Sequence, residues 1–231
     1  MSSLAIIPAR GGSKRIPRKN IKDFLGKPII AYSIETALES GLFEEVMVST
    51  DDEEIAEVAK EYGANVPFIR SDSNADDHAS IIDVLKEVIS EFKGKENKSF
   101  DYACCIYATA PLLRLQFLKK GYEMISDDKF EVILPVVEFS YPVWRGLKIS
   151  ENQLAEMIWP EHVDSRSQDM KKVFHDAGQW FWFNPDQIFK QSNILNSKLG
   201  VIELDEMEVQ DIDTEADWAL AQLKYKLKSK S

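Results

Sequence analysis

SLAIIPARGGSKRIPRKNIKDFLGKPIIAYSIETALES, residues 3–40, passes from an apolar strand through a cationic glycine loop into a helix. SLAIIPA has the length and apolar content of a buried strand. Residues 29–40 read as a helix, and Gly41 follows as its C-terminal cap. Between these elements the charge balance inverts. Arg10, Lys14, Arg15, Arg18, Lys19 and Lys22 are six basic residues in thirteen, with no acid before Asp23. Gly11-Gly12-Ser13 lets the backbone turn tightly and bring N–H groups towards an anion, while the cations neutralise it. Placed directly after a first strand, such a loop suits a nucleoside triphosphate. The competing reading is a solvated basic loop or a nucleic-acid patch. Two common phosphate motifs, GxxxxGK[ST] and GxGxxG, are missing.

The alternation continues outward from this loop. EEVMVST, VPFIR, DYACCIYAT and EVILPVVE read as strands, and 52–62, 79–92 and 115–126 as helices, with Gly63 a second cap. Such βαβα text predicts an α/β fold, a mostly parallel sheet with helices on both faces, and a ligand site at the carboxyl ends of the strands. The pattern breaks over 139–172, where VWRGLKI and QLAEMIW suggest a hairpin leading into a polar segment. VFHDAGQWFWFN then reads as one strand, followed by a helix at 185–191 and a strand at LGVIEL. A closing helix spans 214–228, with Thr214 as N-cap and Glu215 and Asp217 in its first turn. One domain, 1–231, with an inserted element at 139–172, is the expected organisation.

A chain of 231 residues with 44% hydrophobic and 29% charged residues has the composition of a globular domain. Its formal net charge of −11 argues against general binding to nucleic acid or anionic membrane. No apolar run approaches the roughly 20 residues of a membrane span, and the first, 4–8, is only strand length, which points to the cytoplasm. Cys104 and Cys105 are neighbours that a strand sends to opposite faces, so they read as buried thiols rather than a disulfide or metal pair.

Two further groups of acids stand out. Asp211 and Asp213, in VQDIDTEAD, lie two apart, so an extended backbone aims both carboxylates the same way. Hard oxygens in that arrangement suit Mg²⁺, which completes its shell with water and substrate phosphates. They equally suit decoration of a helix N-terminus, where the dipole favours acids. Asp51 and Asp52 read as caps of the next helix. His175-Asp176 invites an acid–base reading, yet alternation sends the two to opposite faces.

IIPARGGSKRIPRKN, with GKPIIAYSIETA, STDDEEIAEVAKEYGA, PFIRSD, ATAPL and DIDTEADW, resembles the CMP-sialic acid synthetase family of cytidylyltransferases along nearly the whole chain. The resemblance implies a Rossmann-like nucleotidyltransferase fold, a three-layer sandwich, and transfer of CMP from CTP to a nine-carbon α-keto acid sugar. It places Arg10, Ser13, Lys14 and Lys19 on the triphosphate and Asn20 near the ribose or phosphates. Arg70 and the turn Ala108-Thr109-Ala110-Pro111 match positions around cytosine, and His78, Ser80 and the acids of SNADDHAS lie in the next loop, near the nucleotide. Asp211 and Asp213 become Mg²⁺ ligands on the same resemblance. Sialic acid synthetases carry Gly where this chain has Arg15, and SKRIPRKN resembles the pseudaminic acid branch instead. DAGQ followed by WFWF resembles that branch too, where Gln179 would meet the sugar's acylamino or hydroxyl group and Trp180 or Trp182 its methyl groups. Relatives acting on N-acetylneuraminate or legionaminate, and a nucleotide-binding protein without activity, are the alternatives. The element at 139–172 resembles the family's dimerisation element, so a homodimer is expected, with Arg166 near the partner's sugar pocket.

Overall fold

The structure is a computed structural model that describes residues 1–76, 79–191 and 193–228. Its strands are β1 (Ser3–Pro8), β2 (Asp23–Phe24), β3 (Lys27–Pro28), β4 (Glu45–Ser49), β5 (Tyr102–Ile106), β6 (Val132–Glu138), β7 (Leu147–Ile149), β8 (Ala155–Met157), β9 (Phe174–Asp176), β10 (Trp180–Phe183) and β11 (Leu199–Leu204). The helices are α1 (Ile29–Ser40), α2 (Glu53–Glu61), α3 (Asp72–Ala75), α4 (Ile81–Lys95), α5 (Leu115–Ile125), α6 (Pro185–Ile188) and α7 (Glu215–Lys228).

Seven strands form the central sheet in the order β11-β6-β10-β5-β1-β4, with β9 also on β6. β4, β1 and β5 are parallel, as are β6 and β11, and β10 joins the two sets by running antiparallel to both β5 and β6. Alternation along β1 sends Ala5 and Ile7 to a core shared with α1, α2 and α5, and Leu4 and Ile6 to a core shared with α4 and α6. Three layers result, as expected. A third cluster packs Ile16 of the cationic loop against Phe24, Tyr32, Ile212 and Trp218, so α7 is clamped under that loop.

Local chemistry sets the helix ends. Asp52 caps α2 by accepting from the Ile55 N–H at 3.0 Å, and Gly41 ends α1 at φ 64°, a conformation glycine reaches without a Cβ clash. Thr214 and Asp217 cap α7 reciprocally, each side chain accepting the other's N–H.

Three expectations need correction. VPFIR is not a strand: only Asn65 bridges to Met47, and Pro67 has no N–H with which to extend the ladder. VFHDAGQWFWFN is two strands, because Gly178 turns at φ 62° between β9 and β10. From Asp176 to Trp182 the chain spends six residues while their partners on β6, Val136 and Ile133, are three apart. Trp180 and Trp182 do not wall a sugar site. Both are at most 1% exposed, packed beneath α5, with the Trp182 indole N–H donated to the Leu118 carbonyl at 3.0 Å.

The 139–172 excursion does contain the expected hairpin, β7 against β8. Its neck is closed by the Phe139 N–H on the Val173 carbonyl at 3.0 Å. Trp144 forms its centre, edge-on to Trp159 and donating its indole N–H to the Lys171 carbonyl at 2.8 Å. No helix among the described residues is long and apolar enough to cross a membrane.

Candidate active site

The parallel strands β1, β4 and β5 all end at one edge of the sheet, and a cleft of about 540 Å³ opens there. The loop after β1 supplies one wall through Arg10, Ser13, Lys14, Arg15, Lys19 and Asn20. Arg70, Asn74 and Asp76 form the opposite wall, with Tyr107, Ala108 and Thr109 at the end of β5.

The loop is held from several sides. Ile16, 1% exposed, is its apolar peg into the cluster with α7. The buried Asn20 donates to the Arg10 carbonyl at 2.9 Å and ties the loop's two limbs together. Gly11 donates its N–H to Asp51 at 3.0 Å, and a Cβ there would lie 2.6 Å from an Asp52 oxygen, so this close approach needs glycine. Arg18, left-handed at φ 54°, turns away from the cleft to fork onto Asp52 and reach Glu54. That hydrogen bond is the first cause holding the Asp52 carboxyl below the usual carboxylate range, against partial burial. Asp52 therefore caps α2 and anchors the loop at once, while Asp51, expected as a second cap, holds only the loop through Gly11. Lys22 reaches Glu215 at 2.6 Å and lies over the Trp218 ring.

Arg70 is buried, with Nε on the Ser49 hydroxyl at 3.0 Å and a second nitrogen on the Ser49 carbonyl, so its fork is fixed where it faces the cleft. Arg10 crosses the cleft to the Asp76 carbonyl at 3.3 Å. Ser80 caps α4 by accepting the Asp83 N–H at 3.2 Å and donates its hydroxyl to the Asp83 carboxylate at 2.6 Å, while His78 lies outside the described residues.

Asp211 and Asp213 flank the fully buried Ile212, so both carboxylates turn away from the core. Asp213 stands 2.8 Å from an Arg15 nitrogen and 3.6 Å from Lys19 Nζ, and Lys19 also donates to the Ile212 carbonyl at 2.6 Å. Asp211 approaches Gly178, where an added Cβ would meet its carboxyl carbon at 3.7 Å. Asp176 accepts the Gly178 N–H at 2.8 Å. Its carboxyl is pushed above the usual range, first by desolvation from the surrounding protein and then by the like charge of Asp211, with the Gly178 N–H opposing. Among the described residues no three metal-ligating side chains converge. A pair of hard carboxylates beside a cationic anion cradle fits Mg²⁺, which takes one or two carboxylates and fills its shell from phosphates and water.

Nine of the residues singled out in the sequence thus meet on one cleft: Arg10, Ser13, Lys14, Arg15, Lys19, Asn20, Arg70, Ala108 and Thr109. Asp213 joins it through Arg15 and Lys19, with Asp211 two residues away. Pro111 does not reach it; it lines a separate cleft of about 320 Å³ with Lys27 and Tyr225. Gln179 does not reach it either. It is buried, and its amide donates to the Glu208 carbonyl at 2.5 Å, so it is spent on the backbone rather than offered to a sugar. Asp76 is on the wall, in the SNADDHAS loop whose acids were expected near the nucleotide, whereas Tyr107 and Asn74 are wall residues that sequence reasoning missed; of these two only Tyr107 carried a signal, as the residue following β5.

Comparison with known proteins gives the family and the fold. The family profile described as cytidylyltransferase matches residues 4–220. Pseudaminic acid cytidylyltransferase of Campylobacter jejuni is 46% identical over 237 aligned positions, covering 100% of this chain and 99% of that one. CMP-N,N'-diacetyllegionaminic acid synthase of Legionella pneumophila is 30% identical, covering 96% of this chain and 95% of its own. The solved structure of CMP:2-keto-3-deoxy-manno-octonic acid synthetase complexed with CTP superposes with a TM-score of 0.71 at 19% identity, over the whole of both chains, a likeness of fold. The chain belongs to the cytidylyltransferase family of nucleotidyltransferases.

Proposed function

We propose that this chain transfers CMP from CTP to pseudaminic acid, releasing pyrophosphate. The observation that carries the reading is the meeting of the cationic loop with Asp213 through Arg15 and Lys19, beside a cleft sized for a nucleotide. The choice of sugar rests on the Campylobacter relative, matched end to end.

In the proposed reaction the sugar's anomeric C2 hydroxyl oxygen bonds to the α-phosphorus of CTP as the bond to the bridging oxygen of pyrophosphate breaks in line, and the hydroxyl proton passes to solvent. Such transfers need positioning and charge neutralisation more than covalent help from the protein. Arg10, Lys14 and Lys19 neutralise the leaving pyrophosphate, and Ser13 and the loop N–H groups orient it. The fixed fork of Arg70 and the Ala108-Thr109 turn meet the cytosine edge. Asp211 and Asp213 would hold Mg²⁺, which when bound supplies Lewis-acid polarisation of the phosphoryl oxygens.

The working unit is proposed to be a homodimer formed through 139–172. Tyr141, Leu147, Ile149, Leu154 and Val163 are all more than half exposed on that element, an apolar face that a second copy would cover. Light scattering at micromolar concentration should give twice the 26.4 kDa chain mass, and a monomer overturns this part. We place the reaction in the cytoplasm, alongside CTP synthesis.

Pyrophosphate release with CTP and a panel of pseudaminic, N-acetylneuraminic, legionaminic and 3-deoxy-manno-octulosonic acids tests the whole. Highest kcat/KM with pseudaminic acid is expected. Preference for another acid overturns the sugar, and no release with any of them overturns catalysis in favour of a binding protein.

A further inference from the structure

Lys224 is a buried lysine on the core-facing stripe of α7, in line with Trp218 and Ala221, where an apolar residue would pack at lower cost. Its ammonium makes hydrogen bonds to two backbone carbonyls, those of Glu206 at 2.9 Å and Val209 at 2.6 Å. Between them, the Glu208 carbonyl accepts the buried Gln179 amide, and beyond them the Ile212 carbonyl accepts Lys19. Four carbonyls within residues 206–212 are therefore pinned by side-chain donors from three different parts of the fold. Residues 209–213 belong to no strand, so no ladder fixes them. These donors do that work, and the segment they fix is the one that presents Asp211 and Asp213.

We propose that Lys224 and Gln179 are positioning residues for the metal site, setting the path of residues 206–209 so that Asp211 and Asp213 stand where a divalent cation can take both. This rests on the reading of those aspartates as the metal ligands. A buried polar pair is suited to the task, because a satisfied donor fixes a carbonyl's location while an apolar contact only excludes water. It also gives Gln179 a role other than contact with the sugar.

Binding of Mn²⁺, followed as loss of the free-ion electron paramagnetic resonance signal in the presence of α,β-methylene-CTP, tests this without turnover. Lys224→Met keeps the side chain's length and removes its donors. It should weaken Mn²⁺ binding five-fold or more, while calorimetry in EDTA shows unchanged binding of the CTP analogue. Lys224→Arg, which can still serve both carbonyls, should recover most of the loss. Gln179→Met should shift Mn²⁺ binding in the same direction by a smaller factor, and it carries the test should Lys224→Met fail to melt cooperatively. Wild-type Mn²⁺ affinity in the folded Lys224 or Gln179 variants overturns the positioning role if Asp211→Ala has lost Mn²⁺. Retention of Mn²⁺ by Asp211→Ala overturns instead the metal reading on which the proposal stands.

Discussion

Arg15 and Asp213 form an ion pair, 2.8 Å from guanidinium nitrogen to carboxylate oxygen, that joins the phosphate loop to the segment before α7. Lys19 approaches the same oxygen at 3.6 Å. In the nucleotide-free chain a proposed metal ligand is thus already faced by two cations. Arg15→Ala should leave Asp213 less occupied and tighten nucleotide-free Mn²⁺ binding a few-fold. The arginine side chain is 68% exposed, so the effect should shrink as salt is raised. Equal affinity at low and high salt would show that Arg15 does not compete at this carboxylate.

Asp211→Ala should reduce turnover by about 10²–10⁴-fold, the scale of several kcal/mol of lost transition-state stabilisation. Asp211 is exposed, so circular dichroism and melting should match the wild type. Near-normal CMP transfer in Mg²⁺ would remove this residue from the mechanism.

Arg10→Ala should act mainly through the nucleotide. Loss of one charge-assisted contact to phosphate is worth about 1.5–3 kcal/mol, which raises KM for CTP roughly 10–100-fold. Unchanged steady-state kinetics would place the triphosphate elsewhere.

Asp52 couples loop and helix, so its protonation should be visible in stability. Its pKa is lowered in the folded chain, chiefly by the hydrogen bond from Arg18. A depressed carboxylate contributes stability that is complete above its unfolded pKa and is lost as pH falls through the folded one. Melting measured from pH 6 downward should show that loss below the usual carboxylate range. In Asp52→Asn this component of the acid slope should vanish, together with up to about 1 kcal/mol from the lost ion pair with Arg18 at neutral pH, because asparagine still caps the helix. An identical acid slope in the variant would contradict the assignment.

Gly121 on α5 sits against β10, where an added Cβ would lie 2.6 Å from Trp180 and 2.7 Å from Trp182. Alanine in a helix interior gains up to about 1 kcal/mol over glycine. Overpacking a core costs about 1–3 kcal/mol, and both indoles are fully buried with little room to retreat. Gly121→Ala should therefore be destabilised by about 1–2 kcal/mol in urea denaturation, and a stabilised variant would mean that α5 can lift from the sheet.

What the residues announce depends on how local the cause is. The strands at 3–8 and 199–204, helix α1, and the caps at Gly41, Asp52 and Thr214 were legible because apolar period and capping chemistry act within a few residues. So was the cation loop, whose charge inversion needs no partner to be noticed. VPFIR misled because its two β-branched residues and aromatic ring suit a strand, while Pro67 and the inward turn of Arg70 prevent the ladder. Gln179 and Lys224 were illegible as scaffolding, because their acceptors are carbonyls that every residue carries. For Lys224 the stripe shared with Trp218 and Ala221 was the one usable clue.

The turn at Gly178 has a mechanical consequence. Because six residues of chain across the turn are matched by three on β6, the chain pairs with β6 twice, first as β9 and then as β10, without leaving its edge. Glu138 and Phe174 remain in register at the point where 139–172 departs, so that element is cantilevered from the main sheet instead of hanging from a hinge. Extra residues at the hairpin tip, 150–153, would lengthen a free end. A single residue added at 177–179 would slide one pairing against the other and tilt the whole outrigger relative to the cleft, and with it whatever lies against its apolar side.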